Sequence, residues 1–385
     1  MESLEQRSML AVTATLEGST LHIDLSGAND AALLARNGSD YTVSGTDFYA
    51  DGTFAVADVS AILVTGTADG GQAFTVATGS GIEDSLSVSA AVESTAINAE
   101  ITSGASAVEL LSTAITLAAN VSTSGTQTYG GLVTLASSVE LTATKATFAA
   151  GVAGTGNALK ITGDADVQAA ITGVSTFEVT GTSMLAANVS TSSTQDYGGL
   201  VTLASGVELT GSKITLDAGV TGTGNALKIT GDADVQAAIT GVSTFEVTGT
   251  SMLAANVSTS STQDYGGLVT LASGVELTGS KITLDTGVAG TSNTLKIKGD
   301  ADVQAAITGV STFEVTGTST LAANVSSSST QDYGALVTLV NGVELTGSKI
   351  TLAAGVAGTG NALKITGDAD VQAAISGVST IEVTG

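Results

Sequence analysis

The chain has 385 residues with no Cys, Pro or Trp and one His, and 36 acidic against 11 basic residues leave a formal charge of -25. Without Cys there is no disulfide, thiolate zinc site or iron–sulfur centre, and an imidazole acid–base centre has only His22 to draw on. So acidic a chain lacks the basic patch that binds a polyanion, which removes nucleic acid as a partner.

In chain order, residues 1–14 come first. Met1–Val12 is too short in apolar run for a secretory h-region. This segment reads as a flexible N-terminal signature, with export through another signal or from a start upstream of Met1.

Residues 15–117 are strand-rich. Leu21–Leu25, Tyr41–Val43, Ala61–Thr65 and Leu86–Ala90 alternate apolar and polar residues with period two. Ala31–Arg36, rich in Ala and Leu, reads as a short helix. Ala107–Leu110 resembles Thr176–Val179, a degenerate copy of the pattern that follows. The region reads as the divergent, capping start of a solenoid, with a separate small β domain as the alternative. His22 falls at an outward position of its strand.

From residue 118 the chain repeats itself with a period of about 68 residues, the mark of a stacked array of supersecondary units. Tyr129, Tyr197, Tyr265 and Tyr333 hold this spacing, as do Asn120, Asn188, Asn256 and Asn324. The copies are 118–185, 186–253, 254–321 and a truncated 322–385, so repeats or domains are expected to continue beyond Gly385. A shorter unit recurs inside each copy, as in Val207-Glu-Leu-Thr-Gly211, Leu227-Lys-Ile-Thr-Gly231 and Phe245-Glu-Val-Thr-Gly249. Period-two alternation faces one set of residues inward, and Thr-Gly marks a corner.

Spacings of about 20 and about 18 residues between these units predict an all-β parallel β-helix, a β-solenoid with about three coils per repeat. Four shorter coils are the alternative. The absence of Pro suits it, because each coil must donate hydrogen bonds to the next along its length. The outward residues Glu208, Lys228 and Glu246, and again Glu276, Lys296 and Glu314, then stack as acid–base–acid columns that avoid like-charge contact. No run of about 18 apolar residues occurs, so no segment reads as membrane-spanning.

Two features resemble known families. Leu4-Glu-Gln-Arg-Ser-Met-Leu-Ala11 is similar to the Leu-Glu-x-Arg-x-Leu-Leu N-terminal signature of very large secreted planctomycete proteins, without its usual basic stretch. Asn188–Gly211 resembles the long repeats of filamentous-haemagglutinin-like bacterial surface proteins, and such repeats fill the chain from residue 118 to Gly385. The resemblance implies a right-handed parallel β-helix and an extracellular or cell-surface role as a structural, adhesin-like rod. Its partners would be a cell-surface or matrix polysaccharide or another protein. A polysaccharide-binding or polysaccharide-processing β-helix is the alternative, marked by converging carboxylates in 15–117.

No catalytic residue, cofactor site or metal site stands out, and the chain reads as non-enzymatic. The weak calcium candidates are the Asp-x-Asp pairs Asp164/Asp166, Asp232/Asp234, Asp300/Asp302 and Asp368/Asp370, whose members share a strand face. They lack the glycine-rich calcium nonapeptide and more simply read as solvated turns. Phe177, Phe245 and Phe313 read as core. The four Tyr read as corner residues covering the longest coil, with exposed contact points as the alternative. Thr180, Thr248 and Thr316 sit before corner glycines without forming a flat Thr array. The Ser/Thr run at 190–194 reads as a polar outer turn open to glycosylation.

Overall fold

A computed structural model describes residues 12–48, 52–67, 70–79, 81–103 and 106–385. The start of the signature segment lies outside them. Two compact units are formed, Met1–Gly181 and Thr182–Gly385. Each is a β-solenoid of stacked parallel strands, the fold that the alternation and repeat predict.

In the first unit three inward columns define three sides. One runs Leu21, Ile62, Leu86, Val108, Gln127, Ala146, Ala165 in register. A second runs Ala32, Phe74, Thr95, Ile115, Val133, Val152, Ile171. The third runs Ile82, Ile101, Val121, Leu141, Ile161, Val179. All of these residues are buried, so the apolar member of each alternating pair builds the core.

The first strands depart from parallel order. Val12–Glu17 pairs antiparallel with Thr20–Leu25. It begins inside the segment 1–14 that reads as flexible from sequence. Ala31–Asn37 pairs antiparallel with Asp40–Gly45, which pairs antiparallel with Gly52–Ala55.

Ala31–Asn37 corrects the expected helix. Ala32 and Leu34 are buried on one face while Ala31 and Leu33 are exposed, and the strand is paired on both edges. Edge pairing and one buried face outweigh the helical preference of Ala and Leu, which is worth only tenths of a kcal/mol per residue, roughly.

The second unit contains three repeats. One inward column runs Ser183, Val201, Val220, Ile239, Val257, Leu277, Ile297, Val315, Tyr333, Leu352, Val371. Each step of this column is one coil, as from Val201 to Val220 and from Val220 to Ile239. A coil turns its corners at a bulge after Thr210, inside strand Val207–Leu216, and at short turns.

Between Ser183 and Ser251 the chain forms nine strands, two of which (Val207–Leu216 and Leu227–Val235) bend and serve two sides each. One repeat therefore covers eleven sides: three complete coils and two sides of a fourth. Equivalent residues of successive repeats land on different sides. Ser183 stacks on Val201 in the first column, Ser251 on Val269 in the second, and Ser319 on Val337 in the third.

Candidate functional site

The outer surface is where chemistry could reside, and its charges are ordered by the coil register. Glu208, Lys228, Glu246 and Asp264 are opposite one another in four consecutive coils. The acid–base–acid column read from sequence is thus present, and it continues into a fourth carboxylate. Lys228 Nζ lies 3.0 Å from Glu246 Oε1, and hydrogen bonding to that carboxylate raises the ammonium pKa. Glu208 Oε1 accepts the Thr230 hydroxyl at 2.8 Å. In the next repeat Lys296 pairs with Glu314 at 2.6 Å, and Lys298 pairs with Glu276 at 2.8 Å.

Asp264 has no such neighbour directly above it, because Thr283 follows in its column. Desolvation, then the charges of Asp285 and Glu246, raise its carboxyl above the ordinary range.

In all four Asp-x-Asp pairs the second aspartate meets a lysine, and in Asp232/Asp234 and Asp300/Asp302 the first aspartate has a separate backbone partner. The second aspartate is the more enclosed: Asp166 and Asp234 are 4% and 5% exposed. A lysine of the preceding coil lies on it, with Lys145–Asp166 at 3.0 Å, Lys213–Asp234 and Lys281–Asp302 at 2.6 Å, and Lys349–Asp370 at 2.8 Å. Gln236 also donates to Asp234. Asp232 and Asp300 each accept a backbone amide: Thr250 N to Asp232 Oδ1 at 2.7 Å and Thr318 N to Asp300 Oδ1 at 2.8 Å.

A solvated turn is therefore not the setting of Asp166 and Asp234, whose carboxylates face a cation the chain itself supplies. Among the described residues no three His, Cys, Asp or Glu side chains are grouped closely enough to hold a metal ion.

The tyrosines are not exposed contact points: each ends its strand beside the corner, and its ring is turned into the core. Tyr129, Tyr197, Tyr265 and Tyr333 are fully buried. Each sits two residues after an inward Gln, as in Thr262–Tyr265. Tyr265 donates to Gln263 Oε1 at 2.9 Å, and Gln263 Nε2 donates to Val257 O at 3.0 Å and Thr278 O at 2.8 Å. The other repeats carry the same arrangement at Gln127, Gln195 and Gln331. A buried Gln ties carbonyls of adjacent coils and is closed by a Tyr hydroxyl, which leaves no polar atom of the trio unpaired. Burial drives the Tyr pKa far above its ordinary value, so these phenols do not titrate near neutrality. The signal that could have found the trio is Thr-Gln-x-Tyr with Gln and Tyr on one face of a strand.

Other candidates fall into structural places. Phe177, Phe245 and Phe313 are core, and Phe245 meets Tyr265 edge-on at 5.9 Å. The Thr180, Thr248 and Thr316 hydroxyls accept Gly163, Gly231 and Gly299 amides at 3.1 to 3.3 Å. In the run 190–194, Thr191 turns inward and donates to Ser193 O and Thr210 O, so only part of that run is an outer turn. His22 is half-buried and outward, 3.9 Å from Glu17. Inward Ser183, Ser251 and Ser319, which the sequence did not single out, have buried hydroxyls without a hydrogen-bond partner.

In 15–117, a shallow groove is lined by Thr67, Gly70, Ala90, Ala91, Glu93 and Thr113. Its one carboxylate, Glu93, accepts Gly71 N at 2.6 Å. Elsewhere in this part, Arg36 pairs with Glu83 at 2.6 Å, and buried Tyr41 donates to Asp84 at 2.7 Å. These carboxylates are committed to donors of the fold.

The chain matches no protein-family model, no curated protein and no solved structure. No helix among the described residues is long and apolar enough to cross a membrane.

Proposed function

We propose that the protein is a non-enzymatic, extracellular or cell-surface rod of the adhesin-like kind that the filamentous-haemagglutinin-like repeats suggest. The observation that carries this reading is the use of the polar groups. Lysines, aspartates, glutamines and corner threonines of the repeats bond to the coil before or after their own. Their chemistry is spent on stacking, which suits a load-bearing spacer and leaves no converging catalytic set among the described residues. A surplus of acids spread over every repeat keeps neighbouring rods apart. Such a rod would meet a surface polysaccharide or another protein through its outer sides.

Antibody labelling of intact cells that make the protein tests the location. Labelling without permeabilisation is expected; labelling only after permeabilisation rejects the surface role. The competing polysaccharide-processing reading predicts release of reducing ends or unsaturated products from acidic polysaccharides, and a negative panel is expected.

A further inference from the structure

Each repeat carries two recurring asparagines on its outside, and their amides are oriented oppositely. Asn157, Asn225, Asn293 and Asn361 turn their nitrogen into the fold: Nδ2 donates to Leu135, Leu203, Leu271 and Leu339 carbonyls at 2.9 to 3.0 Å. Asn120, Asn188, Asn256 and Asn324 turn their oxygen in. Oδ1 accepts the backbone amide of Glu140, Glu208, Glu276 and Glu344, at 2.8 Å in every case. A backbone N–H can be met only by the amide oxygen, so the nitrogen must face away from it, and these four residues are exposed.

The same four, and not the other four, begin the triplet Asn-Val-Ser, at 120–122, 188–190, 256–258 and 324–326. Asn-x-Ser/Thr is the acceptor triplet of N-linked glycosylation. Val121, Val189, Val257 and Val325 point into the core, which leaves the Asn and Ser of each triplet outside.

We infer that Asn120, Asn188, Asn256 and Asn324 are acceptor sites for N-linked sugar. In the transfer, Nδ2 bonds to the anomeric carbon of a sugar diphosphate, the diphosphate leaves with the bonding electron pair, and the proton lost from nitrogen goes to a base of the transferase. The product amide keeps its Oδ1, so the hydrogen bond to the coil above survives while the sugar projects into solvent. Because a repeat covers eleven sides, Asn188, Asn256 and Asn324 precede strands on three different sides, stacked on Leu209, Leu277 and Leu345. Sugars would therefore ring the second unit.

The test has two arms. Mass spectrometry of the protein from the cells that make it is expected to find sugar on the Asn-Val-Ser peptides and none on peptides holding Asn225 or Asn361. Unmodified Asn-Val-Ser peptides would overturn the inference. A single hexose would mark a nucleotide-sugar donor, and an oligosaccharide a polyprenyl-linked one.

In the second arm the chain is co-produced with an Asn-glycosyltransferase and its sugar donor. The modified protein should keep the circular dichroism and melting midpoint of the unmodified one, and Ser258→Ala should remove sugar from Asn256 alone without disturbing the fold. A modified chain that fails to fold would equally overturn the inference. This arm does not depend on where the protein resides, so its outcome is separable from that of surface labelling.

Discussion

The N-terminal strands use glycine for conformation alone and the repeats use it also for close packing, and the difference shows how a solenoid starts and how it propagates. Gly18 and Gly38 join antiparallel strands, sit at φ +63° and +64°, and have open space where a Cβ would stand. They are hairpin glycines, needed only for backbone conformation. Gly231 sits at φ +131° in strand Leu227–Val235, and a Cβ there would lie 1.8 Å from Gly211 O of the coil beneath. It is needed for that conformation and, in addition, because another coil lies against it. Hairpins turn the chain back on itself at the start, whereas the repeats bring backbone onto backbone at corners such as Gly231.

Substitution at these glycines gives the largest expected contrast. Gly231→Ala forces a side-chain carbon into a carbonyl and should cost about 4 kcal/mol or more, at the exceptional end for single changes. Gly18→Ala meets only the left-handed backbone penalty, about 1–2 kcal/mol. Urea denaturation followed by circular dichroism compares them. Equal shifts would mean that coil contact at Gly231 is not what restricts the position.

The two regions share a second device, a buried Gln that ties carbonyls. Gln72 Nε2 donates to Leu25 O at 2.9 Å and Gly27 O at 2.8 Å, and its Oε1 accepts Thr67 N. Gln263 does the same between coils and adds Tyr265. Gln263→Ala strands two carbonyls and a phenol, and should cost about 3 kcal/mol, since each stranded group costs about 1–3. Gln72→Ala should cost a similar amount, and Tyr265→Phe about 1 kcal/mol. If Tyr265→Phe proved as costly as Gln263→Ala, the hydroxyl and not the carbonyl ties would dominate the trio.

What period and alternation encode is legible in the residues themselves. The long repeat, the parallel stacking and the Glu208–Lys228–Glu246 column follow from Φ-x-Φ-Thr-Gly units that recur at coil spacing. The rotation of each repeat onto a new side does not follow from them. It needs the corner inside Val207–Leu216, where Gly211-Ser212 bends a strand without interrupting it. The tyrosines were illegible for a related reason: a polar ring next to Gly-Gly looks like a corner until Gln195, Gln263 or Gln331 supplies its buried partner. The Asp-x-Asp pairs looked solvated because Lys213, a full coil before Asp234, reaches it only through the register.

A smaller contrast separates buried from exposed ion pairs. Asp234 is enclosed while its partner Lys213 is half exposed. Lys213→Ala leaves an enclosed carboxylate with Gln236 and no cation, and should cost about 2 kcal/mol. Lys228→Ala removes a pair open to water on both sides and should leave the urea midpoint unmoved. Salt should weaken the exposed pair first. Equal losses from the two substitutions would show that enclosure of Asp234 adds nothing.

The smallest expected effect concerns pH. Asp84, in the N-terminal part, and Asp264, in the repeats, both have carboxyl pKa values raised above the ordinary range, in each case chiefly by desolvation. Their surroundings differ. Asp84 accepts the Tyr41 hydroxyl and lies near Arg36, both of which hold its pKa down, whereas Asp264 has Asp285, Glu246 and Asp302 against the single opposing charge of Lys281. A raised pKa means that the folded protein holds the proton more tightly than the unfolded chain. The stabilisation is complete below the ordinary carboxylate pKa and is lost as pH rises through the folded one. Asp264→Asn keeps the neutral form at every pH. Wild type and variant should therefore melt together at about pH 3, where the acid is protonated, and the variant should melt slightly higher at neutral pH. Asp84→Asn should gain less, because the ionised form of Asp84 keeps the Tyr41 bond. Melting midpoints from acid to neutral pH decide it. A variant of Asp264 that melts lower than wild type at neutral pH would mean that Lys281 outweighs the surrounding acids, and that the charge columns of the repeats stabilise their most crowded carboxylate after all.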